Sequence, residues 1–152
     1  WDRMINALHD ITNFGQKNQV KLAIETEGSL KKANYLLMQK PIEYEKLIKI
    51  FKPEKLNINL NIGHLNLARK AFNFPVKLFV DLIQKYIIAM ELSHNDGYED
   101  QHLPLSEKNY WYWEIITDKR FKSAKKILEY RNLDISKVKQ SINILEKKLY
   151  GI

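Results

Sequence analysis

The sequence predicts an α/β protein built on a parallel sheet, and three observations predict it. Four short apolar segments, near residues 22, 58, 89 and 128, are separated by stretches of helical periodicity. That alternation marks βα units, in which each strand is followed by a crossover helix and the next strand runs the same way. Each apolar segment also finishes in carboxylates, amides or imidazoles, as IETEG, LNIGH, MELSHNDG and ILEY. Strand C-terminal ends are where parallel sheets project side chains into a common mouth, so chemistry is expected there. Finally, no low-complexity linker or short repeat divides the chain, and residues 1–152 read as a single domain.

The elements follow in order. Trp1, Ile5, Leu8, Ile11 and Phe14 recur at helical spacing until Gly15 breaks the pattern, and His9 falls among polar residues on a surface position. VKLAIET at 20–26 reads as a short buried strand, and a polar stretch follows Gly28. Pro41, suited to a first helical position, opens PIEYEKLIKIF, which ends before Pro53. In LNINLNIG at 56–63 the leucines and isoleucines alternate with Asn57, Asn59 and Asn61, the period of a strand. Asn73, Phe74 and Pro75 introduce the helix VKLFVDLIQKY, and the apolar run IIAMEL at 87–92 is the third strand. A polar loop, SHNDGYEDQ, leads to the aromatic segment NYWYWEII, which reads as helix packing in preference to a base-stacking surface. KKILEY is the fourth strand, and Ile135, Val138, Ile142, Leu145 and Leu149 mark a final amphipathic helix whose Leu145 and Leu149 face the core.

Composition narrows the function classes. Lys+Arg 25 against Asp+Glu 18 gives a net charge of +7, which suits an anionic partner such as a phosphorylated substrate. Only four of the cations are arginines, Arg3, Arg69, Arg120 and Arg131, so nucleic acid is the weaker expectation. The chain has no Cys, which excludes disulfides and thiolate metal sites. No apolar run approaches the roughly 20 residues of a bilayer span. A cytoplasmic protein without membrane contact is expected.

Glu25, Asn61 with His64, Glu91 with His94, Asp100 with His102, and Glu129 form a set of oxygen and nitrogen donors spread over four strand ends. Clustered carboxylates repel one another unless a cation or proton neutralises them, so a divalent metal is the economical expectation. Each residue also has a plainer reading: Glu25 as a solvent-facing strand terminus, His64 as a helix cap, His102 as a structural histidine. Glu27 shares strand parity with Glu25 and is the alternative ligand.

The stretches LAIET, LNINLNIGHLNLA, ELSHNDGYEDQHLPL and ILEY, in this order and spacing, resemble the C-terminal half of the xylose-isomerase-like (β/α)8 TIM barrels. That superfamily holds sugar-phosphate isomerases/epimerases and the AP endonuclease family 2 enzymes, of endonuclease-IV type. The resemblance implies four parallel strands with flanking helices, equivalent to barrel strands five to eight. It makes Glu25 and Glu129 metal ligands and acid/base catalysts on opposite sides of a substrate whose carbonyl the metal polarises. It places His64, Asp100 and His102 against substrate or a second metal.

The departures lie at Asn61, where the pattern has a ligating Asp, and at Glu91, where it has a His. Glu25, Asn61, Glu91 and Glu129 still sum to −3, and an all-oxygen set favours Mg²⁺ or Mn²⁺ over Zn²⁺. His94 is the rival strand-seven ligand. Ser106 and Lys108 replace two glycines of the pattern, which restricts backbone approach to a ligand. The resulting expectation is a metal-dependent sugar or sugar-phosphate isomerase/epimerase. The alternatives are an abasic-site phosphodiesterase and a non-catalytic degenerate barrel half. With 152 residues against about 250 for a complete barrel, the chain is expected to be a fragment of a longer one, or else to pair with a second chain.

Overall fold

The computed structural model describes residues 1–29 and 36–151. Most of the polar stretch expected after Gly28 falls outside them. The elements are α1 (Asp2–Lys17), β1 (Ala23–Glu25), α2 (Pro41–Ile50), β2 (Asn57–Asn61), α3 (Ile62–Phe72), α4 (Val76–Ile83), β3 (Ile87–Leu92), α5 (Tyr112–Ile116), β4 (Lys125–Leu128) and α6 (Ile135–Tyr150). Single 3-10 turns precede β3 and β4. The four strands form one sheet in the order β1-β2-β3-β4, and every pairing is parallel. This is the α/β, half-barrel arrangement that the sequence predicted.

Strand parity divides the sheet into two unlike faces. Leu56, Ile58, Leu60, Met90 and Leu92 pack against the helices, with Leu65, Phe79, Val80, Ile83, Tyr112 and Trp113 in the same core. Full burial of a leucine such as Leu60 contributes about 1.5–3 kcal/mol. The opposite face carries Glu25, Asn57, Asn59, Asn61, Glu91 and Ile127, aligned by the register Glu25↔Asn59, Asn61↔Glu91 and Glu91↔Ile127. Ile127 is 44% exposed there, because no described helix covers that face. The outer edges of β1 and β4 have no strand partner among the described residues.

Several boundaries differ from expectation. Gly15 does not end α1, which continues to Lys17. A Cβ at residue 15 would lie 2.9 Å from Leu22 Cδ1, so the glycine instead lets the chain fold back on the helix after Gln19, whose φ of 57° is left-handed. β1 is three residues long instead of seven, since it pairs on one side only. Ile62 and Gly63 belong to α3 and not to the second strand, and the helix is capped by Asn61, not by His64. Of the apolar residues that marked α6, Ile135 (75%) and Ile142 (39%) are exposed, whereas Leu145 is buried and Leu149 packs against the core as expected. The aromatic segment is packing: Tyr112 and Trp113 are buried, and the Trp113 indole N–H is bonded to the Ser106 and Lys108 carbonyls.

Candidate active site

Asn61 is the centre of the strand-end cluster. It is fully buried at the junction of β2 and α3, where its Oδ1 accepts the His64 backbone N–H at 3.0 Å. Asn is a preferred N-cap residue because this bond satisfies one of the four orphan donors of a helix start. With the oxygen so committed, Nδ2 faces the mouth and donates to Glu25 Oε1 at 2.9 Å, Glu91 Oε2 at 3.0 Å and Glu129 Oε2 at 3.2 Å. Three glutamates from β1, β3 and the end of β4 therefore meet at one point. A second amide, Asn59 Nδ2, holds the other oxygen of Glu91 at 2.8 Å.

Two histidines flank this point. His64 Nδ1 lies 2.9 Å from the Thr26 carbonyl oxygen and 3.1 Å from Glu25 Oε1, two acceptors that assign the proton to Nδ1. Glu27, the alternative ligand, stands 3.9 Å from the same nitrogen. On the other side His102 Nδ1 is 3.3 Å from Glu129 Oε2, while its Nε2 bonds Asp100 Oδ2 at 2.6 Å. Asp100 Oδ2 is also 3.6 Å from His64 Nε2 and from Arg131 Nη2, so the chain Glu25, His64, Asp100, His102, Glu129 surrounds the mouth. The imidazoles are the closed side, with side-chain exposures of 15% and 7%, against 38% and 41% for Glu25 and Glu129. A ligand would thus meet the carboxylates first.

Burial raises the Glu25 carboxyl above its ordinary value; the Asn61 bond and His64 oppose the rise, and the charges of Glu91 and Glu129 add to it. Among the described residues, buried Asp100 Oδ1, Asn59 Oδ1 and His102 Nδ1 have no hydrogen-bond partner. His102 itself sits at φ 48°, a left-handed conformation uncommon outside glycine.

Of the residues singled out in the sequence, Glu25, Asn61, His64, Glu91, Asp100, His102 and Glu129 come together. His94 does not join them. It pairs with Leu103 in an isolated antiparallel bridge and packs against Tyr110, the rings tilted by 38° with centroids 4.6 Å apart. The sequence reading gave no role to Asn59 or Thr26. Thr26 Oγ1 accepts the Asn61 backbone N–H at 2.9 Å, and the alternation of Asn57, Asn59 and Asn61 was the available clue to Asn59.

The donors do not fit a metal ion as they stand. An amide nitrogen has no free lone pair for a cation, and it occupies the point on which the carboxylates converge. Among the described residues no group of three or more His, Asp or Glu is arranged to hold a metal ion.

Fold and site together define the C-terminal mouth of half a xylose-isomerase-like TIM barrel, with a carboxylate and imidazole cluster on its polar face. The structure of a D-tagatose 3-epimerase-like protein superposes with a TM-score of 0.74 and 25% sequence identity, over 97% of this chain and 54% of that one. The uncharacterized protein MJ1311 of Methanocaldococcus jannaschii is 24% identical over 148 residues, which are 97% of this chain and 49% of that protein. The chain thus spans about half the length of the proteins it matches. No family model matches the sequence. No described helix is long and apolar enough to cross a membrane.

Proposed function

We propose that this chain is the proton-transferring half of an isomerase or epimerase that acts on a sugar or sugar phosphate. The observation that carries the reading is the convergence of Glu25 and Glu129, from opposite ends of the sheet, on one point at the strand C-termini. The epimerase-like neighbour supports the reaction class.

One carboxylate removes the proton from the carbon beside a carbonyl, and the C–H electron pair becomes the C=C bond of an enediolate. The second carboxyl group returns a proton to carbon. Partial burial makes Glu25 a stronger base than an exposed glutamate. The oxyanion that develops on the former carbonyl needs a counter-group, and the mouth offers two imidazoles beside the glutamates, His64 next to Glu25 and His102 next to Glu129. No step is assigned to a divalent cation, because Asn61 presents N–H protons at the carboxylate centre. Coverage of 54% of the neighbour supports a barrel closed by a further half, on the same polypeptide or a second chain, over the two open sheet edges.

The test is incubation of the full-length protein with ketoses and ketose phosphates in D₂O, in EDTA and with added Mg²⁺ or Mn²⁺. Deuterium entering the carbon beside the carbonyl, followed by NMR, is the expected result. Glu25→Gln and Glu129→Gln should each slow it by roughly 10²-fold or more. An abasic-site duplex is included: its cleavage, without sugar exchange, would replace this reading with phosphodiester hydrolysis. No turnover of either class would leave the barrel half a binding or assembly element.

A further inference from the structure

We infer that Asn61 stands in for a divalent cation: its side-chain amide is the group that gathers Glu25, Glu91 and Glu129, so the carboxylate centre assembles without metal. The inference concerns how the centre is held together, and it stands or falls apart from the catalytic reading above.

Two independent sets of contacts orient the amide. Oδ1 faces the His64 backbone N–H at 3.0 Å, and Nδ2 faces three carboxylate oxygens at 2.9, 3.0 and 3.2 Å. A half-turn of the side chain would place the oxygen among three anionic acceptors and the NH₂ against an N–H, losing every bond at once. The residue cannot slide aside either. Its backbone N–H is tied to Thr26 Oγ1 at 2.9 Å, and α3 packs so closely that a Cβ on Gly63 would stand 2.7 Å from Ser93 Oγ and 3.3 Å from Asn61 Oδ1. An aspartate here would have two oxygens, one for the cap and one for a cation. Asparagine has one oxygen, and the cap uses it.

Glu91 points to the same conclusion. Both its oxygens are bonded to amides, Oε1 to Asn59 at 2.8 Å and Oε2 to Asn61 at 3.0 Å, so protein N–H groups hold this carboxylate in place without a cation. The remaining negative charge faces imidazoles: His64 lies 3.1 Å from Glu25, and His102 lies 3.3 Å from Glu129. Every carboxylate of the set thus meets a protein N–H or imidazole where a metal site would offer bare oxygens.

The test is a Mn²⁺ titration of the EDTA-treated full-length protein, with free Mn²⁺ read by EPR and the unfolding temperature recorded with and without Mn²⁺. The wild type is expected to show no saturable site that depends on Glu91, and an unfolding temperature indifferent to EDTA. Asn61→Asp, which keeps the helix cap, is expected to take up one Mn²⁺ per chain at least roughly tenfold more tightly, as an added carboxylate ligand dictates, and to be stabilised by it. Either of two results overturns the inference. One is a Mn²⁺ site in the wild type that Glu91→Gln and Glu129→Gln both abolish. The other is a folded Asn61→Asp, checked by circular dichroism, that gains no Mn²⁺ affinity. The wild-type arm decides the matter even if Asn61→Asp does not fold, and none of the readouts requires turnover.

Discussion

Replacing Thr26 with valine removes the buried hydroxyl that fixes the Asn61 backbone, where Oγ1 accepts the Asn61 N–H at 2.9 Å and donates to the Asn61 carbonyl at 3.5 Å. Thr26 is 2% exposed, just past the last residue of β1. Its own N–H continues the ladder to the Asn59 carbonyl at 3.0 Å, and its Oγ1 accepts the Asn61 N–H at 2.9 Å. Valine has the same shape but no acceptor, so the fully buried Asn61 N–H is orphaned at a cost of about 1–3 kcal/mol. The methyl that replaces the hydroxyl returns less than about 1 kcal/mol. The net loss is about 1–2 kcal/mol, which for a slope near 2 kcal/mol/M lowers the urea midpoint by roughly 0.5–1 M. Thr26→Ser loses a methyl but keeps the acceptor, so hydrogen exchange separates the two: the Asn61 amide should lose protection in the valine variant and keep it in the serine variant. An unchanged midpoint together with an unchanged Asn61 exchange rate in Thr26→Val would refute the argument.

Gly28→Ala should destabilise for a different reason. Its Cβ would lie 2.0 Å from the His64 carbonyl oxygen and 2.7 Å from the carbonyl carbon, backbone atoms that cannot yield without moving α3, so a loss of about 1–3 kcal/mol in urea unfolding is expected. His94 should add a pH dependence. Burial beside Tyr110 and Tyr112 lowers its imidazole below the ordinary 6.5, with the Asp96 charge opposing. Its stabilising contribution is therefore complete above the unfolded value and is lost as pH falls through it toward the lowered folded value. Urea midpoints at about pH 7.5 and about pH 5.5 should fall less in His94→Gln than in the wild type, and equal falls would count against the assignment.

How far the sequence could be read depended on where the deciding contacts lie. The β3 boundaries, Ile87–Leu92, coincide with the run IIAMEL because a strand flanked on both sides is buried enough for composition to mark it. Edge strand β1 shrank because only β2 bonds it, a fact that no local pattern in VKLAIET encodes. The site residues were legible as strand ends, since parity brings Glu25, Asn61 and Glu91 to one face of the sheet at its C-terminal end. The direction of the Asn61 amide was not. Its partners Glu25, Glu91 and Glu129 lie 36, 30 and 68 residues away, and only the fold brings them within reach. His94 and His102 looked alike in the polar loop, yet the His94–Leu103 bridge turns His94 toward the aromatic cluster, and His102 joins Asp100 beside Glu129.

The two departures from the resembled pattern are best understood as one change. Asn61 and Glu91 are register partners on adjacent strands, 3.0 Å apart from amide to carboxylate. Glutamate at 91 beside an aspartate at 61 would bring four carboxylates to one point and demand a cation, since like charges at this distance cannot all remain ionised. With asparagine at 61 the charge stays at −3, and the repulsion between strands becomes a hydrogen bond. Asn59, one turn of the pleat below, supplies the second bond to Glu91 at 2.8 Å, and Asn57 ties the same face to the Leu22 carbonyl at 3.3 Å. The alternating asparagines of β2 therefore do more than mark a strand. They form a ladder of amide donors on the face that looks into the barrel, and that ladder lets a glutamate occupy position 91 without a metal to hold it.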